Sequence, residues 1–585
     1  MYTILVNGQD IRNFRVASGS ELPAVKTAVN ELKSYLQASA EKPIGQIYVG
    51  LVRDIPQLAA WENTVQKEGI LIQIAGADIY IAGGSDRGVL YAAYEFLERF
   101  CGWRFFTPQL ETEPQGTINL EDQTYQYNPR FDFRMILLPL MGEDTLHYQK
   151  RHLNSRWGSI PMEEERGGSV FYADSNAHTF QDLLPEKEYF VEHPEYFAVD
   201  ENGNPLRDSL CGTPPCLSHP DVFEIMLGNA RKILQKNPKA KFISVSQNDG
   251  PHYCHCPACT KVNEEEETNG GIIYRFVNKI AAEIKKEYPD VLVDTLPYVY
   301  STKPPVKEVL AENVSIRLCL MDTCREHSIS DESCPYNEKV RNYFRDWAKH
   351  CSNIYLWDYA ANFHNYSICV PNFKLLYQNM QRYIRFPVKG IMYQDAHTTV
   401  PSIEFGQLWG YLQAKLLWEP EMDYVQYLNC AKEFMQAYYG DGWIFLYDYL
   451  MLLMMQPSSD YHYGPAATCE QIIPMLKQED GSLDMTFIRD ANRLFDLAEQ
   501  CSTGVALEHI KCTRLHLLWY ELCTTYNYIR QNGTAAEIQA LREKYETFCN
   551  TVSQWETFRI SEGKPFCGVP FDFDKDPNSY IESLF

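Results

Sequence analysis

One stretch near the middle of the chain joins two residue patterns that could do chemistry. An apolar run at 242–246 ends in Gln247, Asn248 and Asp249, and a cluster of cysteines begins five residues later. A carboxyl group can transfer a proton while a neighbouring amide orients a substrate. Thiolates are ligands that zinc prefers, so the second pattern points to a metal site.

The cysteine pattern has a defined spacing. Cys254, Cys256 and Cys259 form a CxCxxC motif that could supply three thiolates to a tetrahedral zinc ion. A closed structural site needs a fourth ligand, and the candidates are Cys211, Cys216 and His255. Free thiols in a tight loop are the alternative. Because no HExxH motif occurs, we expect no catalytic zinc and no cofactor for catalysis.

Polar side chains also follow the other strand-like runs. The predicted strands are 242–246, 291–300, 314–321, 353–357 and 388–392. Four of the five end in a carboxylate: Asp249, Asp322, Asp358 and Asp395, the last preceded by Gln394, while the remaining strand carries Tyr298 and Tyr300. Acids that cap helices are the alternative explanation for each one. A ring of carboxylates around an aromatic-rich mouth is typical of glycoside hydrolysis.

Two further residues are secondary candidates. His178 could bind a sugar hydroxyl, and a structural histidine is the alternative. Glu404 precedes a predicted helix that extends to residue 417. It could face a substrate or be only a first-turn acid stabilised by the helix dipole.

The elements that must position these residues alternate between strand and helix. From residue 131 onward, strands are separated by long helical stretches, with earlier strand candidates at 133–138, at 169–172, and at 189–199 or near Cys216. Eight such units would close a (β/α)8 TIM barrel, so we expect an α/β catalytic domain at 126–422. Strand and helix signals at 1–125 predict a small α/β domain that includes a hairpin across 75–78. Helical periodicity predicts a mostly helical domain at 423–585.

Length, charge and composition limit the classes of function and partner that the protein can have. A chain of 585 residues is too long for one core. The net charge of −24 argues against nucleic acid and anionic membranes as partners, and aromatic residues reach 13%, which suits a glycan partner. The 18 cysteines form no regular framework and the first residues carry no leader signal, so we expect a cytoplasmic protein, or a secreted one if a leader has been removed. The oligomeric state stays open.

The sequence resembles glycoside hydrolase family 163. The resemblance rests on residues 244–249 with the three cysteines, the strand 316–319, and the segment 356–363, which reads Leu-Trp-Asp-Tyr-Ala-Ala-Asn-Phe. The characterised activity of that family is endo-β-N-acetylglucosaminidase action on complex N-glycans. The segments 91–98 and 102–106 are similar to the non-catalytic domain that precedes the barrel in families 20 and 67.

The resemblance implies roles for particular residues. Several N-acetylglucosaminidase families, with family 85 the most similar in this respect, place an acetamide-orienting residue directly before the acid. This implies that Asn248 is the acetamide partner and Asp249 the general acid of a retaining, substrate-assisted reaction. We expect the substrate-binding residues to be His178, Gln247, Tyr298, Tyr300, Asp322, Trp357, Asp358, Asn362, Gln394, Asp395 and Glu404. The chain departs from the family at Asp322 and Tyr393, where relatives usually carry Glu, and this leaves endo and exo action open.

Two other functions remain in view. One is an α-glucuronidase-like exo-hydrolase that uses two carboxylates, with Arg134 or Arg325 gripping the uronate. The other is a catalytically silent glycan-binding protein. The chain has neither a Walker glycine-rich loop nor a GxSxG motif, which argues against kinases and serine hydrolases.

Overall fold

A computed structural model describes most of the chain. The described residues are 2–137, 145–157, 162–206, 212–368, 372–396, 403–455, 462, 464, 478, 480, 482–555, 558–561 and 572–578. In these residues no helix has the length and apolar character needed to cross a membrane.

The first part of the chain is an α/β unit with its own apolar core. Its strands are β1 Tyr2–Val6, β2 Gln9–Asp10, β3 Phe14–Ala17, β4 Gly45–Leu51, β5 Ile70–Ala75, β6 Asp78–Gly83, β7 Arg104–Thr107, β8 Leu110–Thr112, β9 Gly116–Leu120 and β10 Gln123–Tyr127. They form sheets of order β2-β1-β9, β10-β5-β6-β4-β3 and β7-β8. The predicted hairpin is confirmed, since β5 and β6 pair antiparallel across Gly76, whose φ is +61°.

Two helices cover the larger of these sheets. Helix α1 spans Pro23–Leu36 and helix α2 spans Asp86–Glu95. The Ser85 side chain caps α2 by accepting a hydrogen bond from the Gly88 amide, as expected of serine at an N-cap. The chain continues from α2 through a π-helical turn at Phe96–Phe100.

The middle of the chain forms a curled six-stranded parallel sheet, a half-barrel. Its strands are β11 Phe133–Leu137, β12 Phe242–Ser244, β13 Leu292–Thr295, β14 Val314–Cys319, β15 Ile354–Tyr359 and β16 Val388–Gln394, in the order β11-β16-β15-β14-β13-β12. The intervening helices are α3 Thr145–Lys150, α4 Phe180–Leu183, α5 Glu186–Tyr189, α6 Pro220–Lys236, α7 Pro257–Glu265, α8 Gly271–Glu287, α9 Pro335–His350, α10 Phe373–Tyr383 and α11 Gly406–Trp418. The five predicted strands and the candidate at 133–138 are all present.

The expected eight strands are not all found among the described residues. The candidate at 169–172 makes a single bridge, between Tyr172 and Phe242. The candidate at 189–199 contains a short 3₁₀ turn, Pro194–Tyr196, and isolated bridges. Three backbone hydrogen bonds nevertheless run from β11 to β12 through residue 154 and the segment 170–173. Asn154 donates to Arg134, Val170 donates to Asn154, and Ala173 donates to Phe242, at 3.2, 2.7 and 2.8 Å.

The two faces of the half-barrel pack differently. Its outer face joins the helices in one large core. Its inner face has a separate aromatic core, in which the Phe133 ring lies 5.7 Å from Phe242 and 6.0 Å from Tyr355. Gly390 on β16 makes room for this packing, because a Cβ atom there would lie 2.5 Å from Phe133.

The last part of the described chain is helical. Its helices are α12 Tyr424–Tyr439, α13 Trp443–Met454, α14 Thr486–Cys501, α15 Gly504–Asn532 and α16 Ala535–Val552. They share the large apolar core of the outer face. The proposed domain boundary at residues 422 and 423 therefore crosses a continuous core and remains a prediction.

A buried ion cluster joins the first unit to the half-barrel. Glu68 lies 2.8 Å from Arg134 of β11 and 3.3 Å from Arg87 of α2. Burial opposes ionisation of Glu68, but Arg87 and Arg134 outweigh it and lower its pKa. Arg134 is thus part of this interface and not of the mouth of the half-barrel.

Candidate functional site

Polar side chains line the inner face above the aromatic core. Strand side chains alternate between faces, and on β14 this places Ser315, Arg317 and Cys319 on the inner side. Asp294 of β13 accepts hydrogen bonds from Tyr172 Oη at 3.0 Å and from Ser315 Oγ at 2.8 Å. The half-barrel therefore encloses a polar layer in an otherwise apolar interior.

Arg317 is the centre of this layer. It is fully buried, and its guanidinium lies 4.8 Å from the ring centres of both Tyr172 and Trp357. It also donates to the Asn176 carbonyl oxygen and lies 3.5 Å from Asp294. Burial raises the pKa of Asp294 to about 6, more than Arg317 and the hydrogen bonds lower it.

Asp249 lies at the end of β12 beside Tyr298. The Tyr298 hydroxyl donates to Asp249 Oδ1 at 2.9 Å. The charges of Asp249 and Asp294 add to the effect of burial, which raises the pKa of Cys319 to about 12. Tyr298 packs against the aromatic core of the inner face, so its hydrogen bond holds Asp249 on the inner side of the half-barrel.

Left-handed backbone flanks Asp249 on two sides. His178, with φ +56°, has Nδ1 2.9 Å from the Gln247 carbonyl oxygen, and its ring lies 5.8 Å from that of Tyr298. Val299 has φ +50°, which is rare for a β-branched residue. Such conformations cost on the order of 1–3 kcal/mol each and cluster at functional sites.

Asn248 and Gln247 have different environments. Asn248 Nδ2 donates to the Gly212 carbonyl oxygen at 2.9 Å, while its Oδ1 is buried without a hydrogen-bond partner among the described residues. Gln247 is fully buried, donates to the Tyr298 carbonyl oxygen at 3.1 Å and accepts a hydrogen bond from Ser301. Gln247 therefore holds the loop, and Asn248 keeps an acceptor available.

Aromatic side chains continue the inner face. Trp357 Nε1 donates to Gln394 Oε1 at 2.8 Å, and the Trp357 ring lies 5.9 Å from both Tyr359 and Trp157. Asn362 is buried just beyond this strand. A surface cleft of 780 Å³, a size typical of ligand sites, is lined in part by Trp157 and Asn176, which also contact the interior.

The other three strand-end carboxylates have partners of their own. Asp322 is exposed and pairs with Lys339 at 3.1 Å. Asp358 is buried, accepts from Arg325 at 3.1 Å and accepts from Tyr383 at 2.7 Å. Arg325 is thus engaged by this carboxylate.

Asp395 is likewise buried. It accepts hydrogen bonds from the Ala396 amide and from Gln413 Nε2, both at 2.8 Å. Burial raises its pKa to about 6. The structure gives Asp322, Asp358 and Asp395 none of the contacts that Asp249 makes with Tyr298.

Three more residues named in the sequence analysis lie apart from Asp249. Tyr300 packs on Tyr253, with ring centres 4.8 Å apart, in a groove that includes Lys303. Glu404 is buried, and its charge adds to the burial that raises the pKa of Cys512 on α15 to about 12. Tyr393 lies on the opposite face of β16 from Met392 and Gln394.

The predicted cysteine cluster comes together. Cys254, Cys256 and Cys259 are joined by Cys216, and all four sulfur atoms lie within 4.8 Å of one another. Cys216 Sγ is 3.6 Å from Cys256 and 4.0 Å from Cys259. Tetrahedral zinc with Zn–S bonds of about 2.3 Å would place its sulfur ligands about 3.8 Å apart.

Of the other two proposed fourth ligands, only His255 lies in the part of the chain that the structure describes. The His255 ring stacks on Tyr253, with ring centres 4.4 Å apart, and Cys211 lies outside the described residues. Cys256 caps the N-terminus of α7, where the helix dipole favours a thiolate. The donor set therefore fits a structural zinc ion with four protein ligands.

The sequence analysis missed the polar layer formed by Asp294, Arg317 and Tyr172. A signal was present, because residues 314–319 alternate as Val-Ser-Ile-Arg-Leu-Cys. Such alternation predicts one apolar and one polar face. The Asp294 and Arg317 side chains lie within the strands and not at their ends.

A model of one protein family matches the middle of the chain. Residues 105–449, more than half of it, match the family described as "Domain of unknown function (DUF4838)". The chain belongs to this family. No curated protein sequence matches it.

Some glycoside hydrolase structures resemble the chain at low identity. A GH138 enzyme targeting pectin rhamnogalacturonan II has 9% identity over 98% of both chains, with a TM-score of 0.47. A GH20 exo-β-N-acetylglucosaminidase from Vibrio harveyi in complex with N-acetylglucosamine has 12% identity over 72% of this chain and 74% of that one, with a TM-score of 0.40. No residue role follows from similarity at this level.

Proposed function

We propose that the protein is a glycoside hydrolase that cleaves β-linked N-acetylglucosamine in glycans. One observation carries the proposal: the inward-directed carboxyl group of Asp249 directly follows an amide whose buried oxygen has no described partner. Buried polar atoms are rarely left unpaired, so this oxygen is suited to accept a hydrogen bond from a ligand. An acetamide N–H is a ligand donor of the right kind.

The proposed reaction uses few protein groups. Asp249 donates its proton to the glycosidic oxygen as the leaving sugar departs. The acetamido oxygen of the substrate attacks the anomeric carbon as the bond to the leaving oxygen breaks, which gives a cyclic oxazolinium-type intermediate. Water, which passes its proton to the Asp249 carboxylate, then opens this ring at the anomeric carbon. Two displacements retain the configuration, and no protein nucleophile is required. Asn248 Oδ1 accepts from the acetamide N–H and aligns that oxygen. No cofactor takes part, and a zinc ion at the four cysteines would only hold the loop after β12, because all its ligand positions are occupied by protein.

The surroundings support a sugar substrate. The partly exposed Trp157 presents a flat apolar ring to the cleft, with the buried rings of Trp357 and Tyr359 behind it, and an exposed ring of this kind can cover the C–H face of a pyranose. The resemblance to glycoside hydrolase family 163 is a second support, and it favours N-glycans as the substrate. We also infer that the irregular segments between β11 and β12 complete a closed barrel, with the mouth beside Asp249.

The two-carboxylate alternative has less support. It requires a second acid close to Asp249 and a free arginine for a uronate. In the described residues Asp322, Asp358 and Asp395 have other partners, Arg134 is paired with Glu68, and Arg325 is paired with Asp358. A glycan-binding protein without activity remains an outcome of the test below.

The test is incubation of the full chain with defined N-glycans and uronic-acid oligosaccharides, read by mass spectrometry. We expect products only from N-acetylglucosamine linkages. Asp249→Asn should lower turnover by about 10²–10⁴-fold, the usual contribution of a general acid. The matched control is Asp346→Asn on α9, an acid paired with Lys349, which should keep wild-type turnover.

Each outcome has a clear reading. Undiminished turnover by Asp249→Asn would remove the assignment of the acid. Products from uronic-acid substrates alone would favour the glucuronidase-like alternative. Glycan binding by calorimetry without any product would favour a silent binding protein.

A further inference from the structure

A second cluster of metal-binding side chains lies in the loop after β14, apart from the four-cysteine site. Cys324, His327 and Cys334 come from the segment between β14 and α9, and His462 comes from between α13 and α14. Their ligand atoms all lie within 4.8 Å of one another. We propose that these four side chains bind one structural zinc ion, which ties this loop to the helical part of the chain.

The interatomic distances fit a tetrahedral zinc site. Cys324 Sγ lies 3.4 Å from His327 Nδ1 and 3.6 Å from His462 Nδ1, and Cys334 Sγ lies 3.5 Å from His462 Nδ1. With Zn–S of about 2.3 Å and Zn–N of about 2.0–2.1 Å, tetrahedral geometry places sulfur and nitrogen about 3.6 Å apart.

Hydrogen bonding does not explain the same arrangement. The imidazole Nδ1 atom has either one proton or one lone pair in its plane, so it makes one good hydrogen bond. His462 Nδ1 has two thiol sulfurs at nearly equal distances. A cation shared by all four groups accounts for every one of these contacts.

Hydrogen bonds around the loop orient the proposed ligands. Asn337, fully buried on α9, accepts a hydrogen bond from the Cys324 amide at 2.9 Å and donates to the carbonyl oxygens of His327 and Ser328. The Glu326 amide donates to Cys324 Sγ at 3.4 Å. Such outer contacts orient metal ligands and stabilise a thiolate.

The four-cysteine site and this second cluster share one feature, a cysteine at the N-terminus of a helix. There Cys256 caps α7 and is followed by Pro257. Cys334 lies at the N-cap of α9 and is likewise followed by a proline, Pro335. In both sites one thiolate thus lies at the N-terminus of a helix that starts with proline, where the helix dipole favours negative charge.

The ligand types indicate zinc in a closed site. Two thiolates and two imidazoles form the Cys₂His₂ set of structural zinc sites, and four protein ligands leave no position for substrate or water. A metal at this site would also fix the position of a neighbouring ion pair. Arg325, between two of the ligands, reaches Asp358 at the end of β15, so the metal would hold the loop that supplies this ion pair.

The experiment measures zinc in the purified full chain by mass spectrometry of the metal. We expect His462→Ala to lose about one zinc per chain relative to wild type. Cys256→Ser should lose zinc only from the other site, and the double variant should lose both. His252→Ala is the matched control, since this histidine is exposed and belongs to neither cluster, and it should keep the wild-type content.

A second readout separates the site from general misfolding. His462→Cys keeps a ligand and should retain the zinc that His462→Ala loses, with both variants compared by circular dichroism. In the Cys256→Ser background, cobalt(II) should give the absorption of a tetrahedral thiolate site that disappears with His462→Ala. Equal zinc in wild type and His462→Ala, or a disulfide between Cys324 and Cys334 in the purified protein, would overturn the proposal.

Discussion

Asp249 follows one strand of the parallel sheet and Asp358 lies near the end of another, yet their surroundings are opposite. Asp249 is half-buried and accepts a hydrogen bond from the Tyr298 hydroxyl. Asp358 is buried with Arg325 and Tyr383. One carboxyl group faces the interior of the half-barrel, and the other belongs to the packing between the strands and the outer helices.

Strand periodicity explains the difference. On β15, Trp357 and Tyr359 point to the inner face, so Asp358 between them points outward. On β16, Gln394 bonds to Trp357 on the inner side, so Asp395 comes next on the outer side. A carboxylate that ends a strand is therefore a candidate for chemistry only when its position in the alternation, or the loop after it, turns it inward.

The largest expected effect on stability concerns Asp358. Asp358→Asn would leave Arg325 buried without a counter-charge, and breaking a buried pair in this way costs about 3–5 kcal/mol. We expect a loss of that size in the free energy of unfolding, measured with urea. Asp346→Asn on α9 is the exposed control and should change it little. A loss no larger than that of the control would mean that the buried pair adds nothing to stability.

For Asp395 we predict that the free energy of unfolding depends on pH. Its folded-state pKa is raised from 3.8 to about 6, so the folded state binds the proton more tightly than the unfolded state. The associated stability is fully present below about pH 4 and is lost as the pH rises through about 6, on the order of 3 kcal/mol in total. Asp395→Asn cannot titrate, so the variant should gain stability relative to wild type by this amount between about pH 4 and 7.

Unfolding at several pH values checks this prediction. Asp294 titrates in the same range in both proteins and cancels in the difference. A difference that does not change with pH would contradict the assignment to Asp395.

All six regular strands of the half-barrel could be predicted from the sequence, because buried parallel strands are nearly continuous apolar runs. The expectation of eight strands failed at 189–199, where short helices and turns replace a strand. The backbone connection from β11 to β12 instead uses isolated hydrogen bonds and a bridge at Asn154 and residues 170–173, and such contacts leave no periodic signal.

The candidate site was only partly predictable. Asn248, Asp249 and three of the four cysteines follow from local spacing. Cys216 was one of three candidates for the fourth ligand, and spacing could not select it because it lies 40 residues from Cys256. His462 lies 128 residues from Cys334 and was not predicted, since only tertiary structure brings the two together. Arg317 and Asp294 could have been found from alternation along two strands.

A substitution of Tyr298 tests whether the inward-facing carboxyl group of Asp249 takes part in the reaction. Tyr298→Phe removes the hydroxyl that donates to Asp249, and a hydrogen bond to a charged group contributes about 1.5–3 kcal/mol. If the hydrogen bond stabilises the transition state by the lower end of this range, its loss should lower kcat/KM about tenfold. The free energy of unfolding should change little. Tyr288→Phe, near the opposite end of the sheet, is the control. Unchanged kcat/KM would mean that Tyr298 does not position the acid.

The smallest effect is expected at Asp322, and it decides whether a strand-end carboxylate outside the interior matters. Asp322 is exposed and paired with Lys339, and exposed pairs contribute under about 1 kcal/mol. Asp322→Asn should therefore change neither the midpoint of unfolding nor turnover of glycans. A loss of activity in Asp322→Asn but not in Asp346→Asn would contradict this expectation. It would mean that the loop after β14 turns toward the substrate. The direction of a strand-end carboxylate in this structure would then not show whether it takes part in the reaction.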